Sequence, residues 1–406
     1  MRAQITASVS RISKKTVNYR EAFEQGYALQ QAGKWLNAIP HYEESIRLSA
    51  ANAAAHNNLG NCFRSLGQFQ GAIDCFNRAL EIEPGRPSSC LNRALANLSL
   101  CNYGQAWADY ESRLTTIPFR SELLNMPERR WRGQKMGDQG ILYLFGNQGL
   151  GDELQCLRFL PEVARRVGRV ILEAQSPMMS LLKEVPANVT VIERGDPVPP
   201  FHQWVEWFSL PGLFQVEIDS IPSPEPVAFM PKQRVIQHIE EAHAKFPKTT
   251  KVGMVWTGNP ENSLNSLRSL QLEKWGPILR IENAQFFSLQ VGDPSAELSE
   301  SPLCEEVVDL SPVLDDFAAT ATAIKALDLI ITTDTSVPHL AGTLGKETWL
   351  MLHQPCDWRW GQHGMDTPWY PSIRAFRQSI QGQWDPVVNA VAASLEAKAH
   401  SSREKA

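Results

Sequence analysis

One set of residues returns at a fixed interval through the first quarter of the chain. Gly26, Gly33, Ala38, Ile39, Tyr42 and Ile46 recur 34 positions later as Gly60, Gly67, Ala72, Ile73, Phe76 and Leu80. A looser third copy follows, with Ala94, Cys101, Ala106, Trp107, Tyr110 and Leu114. Self-similarity at this period marks stacked supersecondary units, none of which can bury its apolar face alone. Small residues at Gly26, Gly60 and Ala94 let paired helices approach closely, and the aromatic of each second helix fills the gap to the next unit. Three units are about the minimum for a continuous core. The expectation is an α-helical superhelix over residues 18–117, preceded by a disordered polar tail over 1–17.

The period, together with Leu59-Gly60-x2-Phe63, Ala72-x3-Phe76 and Pro84, resembles the tetratricopeptide repeat. A repeat superhelix offers a concave face for a peptide or partner protein, although fold alone does not assign that job. Asn57, Asn58, Asn61 and Asn92 offer side-chain amides to an extended backbone, or simply face solvent. The plainer alternative is that the repeats only extend the fold and pack on the domain that follows.

Beyond residue 118 the period stops. A connector rich in charge and proline (Pro118, Pro127, Glu128, Arg129, Arg130) leads to Trp131, and from Ile141 the pattern becomes strand, turn, helix: ILYLF, GNQGLGDE, LQCLRFLPEVARR, then VILEA. A second run begins with VGMVW, continues through FFSLQ and reaches LDLIIT. Short apolar strands alternating with helices are the signature of a parallel α/β sheet. Proline-rich segments at 197–200 and 222–231 separate the two runs. The expectation is one α/β lobe over 118–247, a second over 248–393, and a polar tail over 394–406.

The most informative single stretch is Leu327–Gly345, LDLIITTDTSVPHLAGTLG. Its apolar opening reads as a buried parallel strand. The polar run Thr332–Ser336 forms a turn, Ser336 is a candidate helix cap, Pro338 fits the first turn, and Gly345 is a stop. A strand feeding a helix this way presents free backbone N–H groups at the carboxyl edge of a sheet, where open α/β folds bind ligands and where a helix N-terminus favours phosphate. The turn reads as a diphosphate cradle.

Composition narrows the classes. The 406 residues leave room for two or three domains, and a net charge of −5 speaks against a general nucleic-acid or membrane-surface binder. Seven cysteines without CxxC spacing read as thiols of a reducing compartment rather than a metal site. The N-terminus is basic but lacks an apolar core, so no secretory signal is expected, and no run reaches the length of a membrane span. A cytoplasmic protein is expected.

From about residue 140 to 390 the chain resembles the GT-B glycosyltransferases related to bacterial heptosyltransferases (glycosyltransferase family 9), in the branch that carries tetratricopeptide repeats. The matching elements, in order, are Gln148-Gly149-Leu150-Gly151-Asp152, Trp256-Thr257-Gly258-Asn259-Pro260, Arg268-Ser269, Asp334-Thr335-Ser336-Val337-Pro338-His339-Leu340-Ala341-Gly342 and Asp357-Trp358-Arg359-Trp360. The chain departs from that pattern at Asn147, Pro338 and Glu347 and over 261–267.

The resemblance implies an inverting transfer of a sugar from a nucleotide-sugar donor, with no further cofactor. It casts Asp152, in a GxGD element, as the general base that takes a proton from the acceptor. Gly149 and Gly151 are read as a tight turn with close backbone approach. The plain alternative for Asp152 is a charge that caps its helix. No cation-binding DxD stands near a strand end, so metal-independent transfer is expected, with backbone dipoles supplied by Asp334 and its neighbours and the diphosphate held by the Thr335, Ser336 and Val337 amides and a basic side chain. Arg268 is the first choice for counter-charge and Lys346 the second, and His339 is a further phosphate contact. Thr257, Gly258 and Asn259 offer hydrogen bonds to sugar or diphosphate. Trp358 and Trp360 are read as packing rather than stacking on ligand.

A protein or peptide acceptor presented by the repeats is expected by analogy. The competing readings are a scaffold whose transferase lobes have lost turnover, and a dinucleotide enzyme. The glycines of GNQGLGDE run G-x-x-G-x-G rather than G-x-G-x-x-G, which disfavours the dinucleotide enzyme.

Overall fold

The computed structural model describes residues 18–116, 120–224, 227–247 and 249–403. The tail expected over 1–17 and Pro118 of the connector lie outside the described residues. The chain divides into two compact units, 1–96 and 97–406.

The first unit is built from antiparallel helix pairs: α1 (Tyr19–Gln31) with α2 (Trp35–Leu48), and α3 (Ala53–Ser65) with α4 (Phe69–Ile82). The boundary between units falls within α5 (Pro87–Ser99). The 34-residue period has a direct steric cause. A Cβ added at Gly26 would stand 3.1 Å from the Tyr42 ring, and one at Gly60 would stand 2.6 Å from the Phe76 ring. Each small residue therefore seats the aromatic sixteen positions on. Three of the asparagines cross-link helices: Asn57 Oδ1 accepts from Ser89 Oγ (3.0 Å) and Asn92 Nδ2 (3.2 Å), and Asn58 Nδ2 donates to the Tyr42 hydroxyl (3.3 Å).

The second unit opens with α6 (Tyr103–Tyr110), the helix that closes the third repeat. Its aromatic face is built into the α/β core. The Trp107 indole donates to Val216 O (2.7 Å), and the Trp369 indole donates to the Tyr103 hydroxyl (3.0 Å). Trp358 stands edge-on to Tyr103, Trp107, Tyr110, Phe208 and Trp369.

The first lobe is a four-stranded parallel sheet of β1 (Ile141–Phe145), β2 (Arg169–Ala174), β3 (Val189–Glu193) and β4 (Gln203–Glu206), in the order β3-β2-β1-β4. After β1 come α7 (Leu150–Cys156), a 3₁₀ turn and α8 (Leu160–Arg166). The sequence had suggested one continuous helix, but Pro161 in the first turn of α8 fits a restart there.

The second lobe is a six-stranded parallel sheet. Its strands are β5 (Thr250–Val255), β6 (Ala284–Ser288), β7 (Val307–Asp309), β8 (Leu329–Thr333), β9 (Thr348–Leu352) and β10 (Ile373–Arg377), in the order β10-β9-β8-β5-β6-β7. Both β8 and β9 are buried along their whole length, as internal strands covered on two faces must be.

Two boundaries differ from the sequence expectation. Helix α9 (Gln233–His243) packs on α10 (Phe317–Ala326) of the second lobe, so the chain crosses between lobes before α9 rather than near residue 247. The polar tail expected from residue 394 is helical as far as Arg403. In α12 (Asp385–Arg403), Val387, Val388, Val391 and Leu395 continue one apolar stripe into the second-lobe core.

The glycine–aromatic contacts generate a paired prediction. Gly60→Ala should destabilise the repeats by about 1–3 kcal/mol through overpacking against Phe76. Gly71→Ala, whose new Cβ meets Phe63 at an ordinary 3.7 Å, should instead stabilise by about 0.5–1 kcal/mol. Urea denaturation of the two variants checks the contrast; equal effects would contradict the steric account.

Candidate functional site

Five strand-to-helix or strand-to-turn segments converge where the carboxyl edges of the two sheets approach. They enclose a cleft of about 850 Å³. Of the site residues named from the sequence, Gly149, Gly151, Asp152, Thr257, Gly258, Asn259, Arg268, Asp334, Thr335, Ser336, Val337 and His339 line it, and Lys346 does not. The segment after β6 and the pair Asp357 and Arg359 after β9 complete the wall.

The first-lobe wall is the start of α7. Asp152 stands in its first turn, and its Oδ2 accepts the Gly149 N–H (2.8 Å), which closes the turn on itself. The Asp152 N–H also returns to Gly149 O (3.1 Å), so the turn expected is present without any left-handed residue, and the close approach expected falls at Gly151. Gly149 has an ordinary φ of −75°, and neither glycine is among those with positive φ. At Gly151 a Cβ would meet the His339 ring at 2.6 Å. This glycine is the point at which α7 seats against α11 (Ser336–Thr343) of the other lobe.

The second-lobe wall is the tip of β8. Thr335, not Ser336, caps α11, with its hydroxyl accepting the Val337 N–H (3.2 Å). Pro338 brings no N–H, so of the amides expected to hold an anion the Ser336 N–H is the one on α11 that the cap leaves open. Asp334 is buried at 7% exposure. Burial pushes its carboxyl up to about 6, Asp357 adds to the rise, and Arg268 and Arg359 oppose it.

His339 is a packing residue as much as a wall residue. Its Nδ1 faces the Tyr370 hydroxyl at 3.1 Å and its ring lies 4.6 Å from that of Trp360. Burial, and then Arg359, Arg158 and Arg268, drive its pKa well below the ordinary value, so it is a neutral imidazole. A cationic phosphate contact is not what it provides.

Lys346, the second choice for counter-charge, is not part of the cleft. Its Nζ donates to Leu327 O (2.5 Å) and Lys325 O (3.3 Å) on the far side of the α11–β9 turn. Arg268, the first choice, lines the cleft beside Gly258 and Asn265 and has no carboxylate partner among the described residues. The Thr257 hydroxyl is committed to Ser269 Oγ (2.7 Å) and Asn265 Nδ2 (3.1 Å), and Asn259 Oδ1 accepts the Glu261 N–H (2.9 Å). These side chains hold the turn in place. Trp256 is buried in the second-lobe core behind this turn, its indole donating to Glu297 (2.8 Å).

Arg359 is the residue whose part the sequence left open. Asp357 caps a 3₁₀ turn over Trp358–Trp360, so three successive side chains radiate from it in different directions. Trp358 enters the aromatic cluster, Trp360 packs on His339, and Arg359 crosses to the first lobe. There its Nη2 meets Asp152 Oδ1 at 2.5 Å and its Nε donates to Gln155 Oε1 at 2.8 Å, while Nη1 stays on Asp357 Oδ1 at 2.8 Å. Phe208 and Trp358 lie against its guanidinium at 4.9 and 4.6 Å. The only signal in the sequence was a charged residue between two tryptophans, which does not say where the charge points.

A second buried polar group backs the first-lobe wall. Glu153 accepts from Gln175 Nε2 (2.9 Å) and Arg194 Nη2 (2.6 Å), and Glu173 accepts from Arg120 and the Tyr143 hydroxyl (2.8 Å).

Comparison with known proteins agrees with the repeat reading. Residues 53–86 match the tetratricopeptide repeat family. Over 91% of its length the chain is similar to Protein FlbA of Caulobacter vibrioides, at 26% identity. It is similar over 23% of its length to human Sperm-associated antigen 1, at 33% identity. The chain spans 66% of the first of these relatives and 10% of the second.

Among solved structures, a glycosyl transferase family 9 protein from Veillonella parvula aligns with 68% of this chain and all of its own, at 9% identity and a TM-score of 0.47. The Arabidopsis OM64 tetratricopeptide domain aligns with 25% of this chain and 83% of its own, at 31% identity and a TM-score of 0.24. Among the described residues no helix is long and apolar enough to cross a membrane.

The burial of Asp334 sets a pH dependence. Its folded-state pKa of about 6 lies above the ordinary carboxyl value, so between the two the folded state alone holds the proton, and stability falls as pH rises through that window. Asp334→Asn removes the burden. Its melting temperature relative to the parent should therefore be higher at pH 8 than at pH 4, read by calorimetry. A difference that does not change with pH would contradict the burial of an ionisable Asp334.

Proposed function

We propose that this protein is a glycosyltransferase of the two-lobed GT-B type, moving a sugar from a nucleotide-sugar donor to a protein acceptor with inversion and without a metal ion. The observation that carries the reading is the opposition across one cleft of a carboxylate and an anion-receptive face. Asp152 lies on the first lobe. Arg268, which has no acidic partner among the described residues, and the Ser336 amide that the cap leaves open lie on the second.

In the reaction proposed, the acceptor oxygen attacks the anomeric carbon from the face opposite the leaving group. Its proton passes to Asp152, the bond from the anomeric carbon to the diphosphate oxygen breaks, and the electron pair leaves with the nucleoside diphosphate. Arg268 and the start of α11 meet the charge that develops there. The repeats are proposed as the surface that presents the acceptor, because stacked helix pairs build extended recognition surfaces. That none of the seven cysteines forms a disulfide accords with the reducing cytoplasm as the place of action.

One observation favours a second reading, a scaffold that binds donor without turnover. Both oxygens of Asp152 are engaged, by Arg359 and by the Gly149 N–H, and a carboxylate so held is a weaker base.

A thermal-shift series with UDP, GDP, CDP and ADP, followed by an assay for diphosphate release from the matching nucleotide sugars, separates the readings. One diphosphate at a hundred times its dissociation constant should stabilise by about 2.7 kcal/mol, and Arg268→Ala should lose most of that shift. Asp152→Asn should keep the shift and lose release. Binding without release in the parent would favour the scaffold; full release by Asp152→Asn would remove Asp152 as base.

A further inference from the structure

The deepest-set cation of the cleft has no role in the transfer just described. Arg359 is 7% exposed, yet it lines the cavity. Its guanidinium reaches three acceptors on two lobes: Asp152 and Gln155 on α7, and Asp357 on its own turn. Phe208 of the first lobe and Trp358 fix the plane from the sides. A planar fork with this many fixed partners has one orientation available to it. Asp152 is correspondingly fixed, with one oxygen on Arg359 and the other on the Gly149 N–H.

We propose that Arg359 is the positioning residue of the cleft: it holds the Asp152 carboxylate in a single rotamer across the lobe interface and supplies the counter-charge that lets it stay ionised there. This rests on the reading of Asp152 as the general base. Without a cation, a carboxyl removed from water takes up a proton and can no longer accept one. A permanent cation beside it leaves it able to receive the acceptor's proton, at the cost of some basicity.

The charges around Asp152 make the assignment specific. From the second lobe it is faced by Arg359, Asp357 and, more distantly, Arg268; α11 contributes only the neutral His339. Helix α6 contributes the Tyr110 hydroxyl, and α7 itself contributes the Cys156 thiol. Burial pushes Asp152 above the ordinary carboxyl value, Asp357 adds to the rise, and Arg359 is the strongest of the opposing influences. Arg359 is the ion-pair partner of Asp152 among the described residues. Two carboxylates thus compete for one guanidinium, and Asp357, at 38% side-chain exposure, is the more solvated of them.

The test is a titration of the full chain labelled with ¹³Cγ-aspartate, in which the Asp152 resonance is the one that disappears in Asp152→Asn. Arg359→Gln should move the Asp152 midpoint upward by about 1–3 pH units, and Arg359→Lys should move it less. Asp357→Asn, which keeps a side-chain oxygen able to cap the same turn, should move it downward, because it removes a like charge and leaves Arg359 to Asp152 alone. That variant keeps the test open if Arg359→Gln fails to fold.

An Asp152 midpoint unchanged in folded Arg359→Lys and in Asp357→Asn would overturn the proposal. The base assignment fails separately: diphosphate release by Asp152→Asn would refute it whatever the titration shows.

Discussion

A guanidinium shared between lobes fixes the geometry of the cleft. Arg359 leaves a turn of the second lobe, crosses the interface and ends on the carboxylate and amide of α7. Removing either partner leaves the other charge unpaired, the more costly case being the guanidinium, since Arg359 is the more buried of the two. The same interface is held by contacts that carry no charge between partners. Arg158 on the first lobe donates to the Trp369 carbonyl (3.0 Å), the Ala318 N–H donates to Ser180 Oγ (3.1 Å), and the His339 ring sits on the bare backbone of Gly151. These hydrogen bonds and this close approach act together with the Phe208–Trp358 ring contact across the same interface.

The aromatic cluster explains why the last repeat helix belongs with the α/β unit. Tyr103, Trp107 and Tyr110 are spaced to face one way from α6, and that face is filled by Trp358, Trp369 and Phe208. Trp358 is the neighbour of Arg359 in sequence and lies over its guanidinium. The residue that orients the cleft is therefore packed, at one remove, against the helix that ends the repeats.

Much of this was legible in the sequence because the physics behind it is local. The 34-residue period survives in the chain because each glycine must clear one aromatic ring. Strands such as ILYLF and LDLIIT announce themselves because both faces are buried and most positions are apolar. The turns after β1, β5 and β8 follow such strands, which is why their cleft residues could be named in advance, whereas the segment after β6 and the pair Asp357 and Arg359 were not.

What was not legible depends on partners distant in sequence. Ser336 reads as a cap until Thr335 is seen to take the Val337 amide. Lys346 reads as a phosphate ligand until its ammonium is found on backbone carbonyls. Gly151 reads as part of a tight turn, and only the second lobe shows that it clears the His339 ring. Arg359 pairs with a residue more than two hundred positions away, a separation no motif encodes.

The most direct test of the central claim, a carboxylate and an anion-holding face meeting over one cleft, is a crystal structure of the full chain soaked with a nucleotide sugar. The account predicts the diphosphate against Arg268 and the Ser336 N–H, with the anomeric carbon turned toward Asp152. A donor bound outside the cleft, or one whose sugar points away from Asp152, would contradict it.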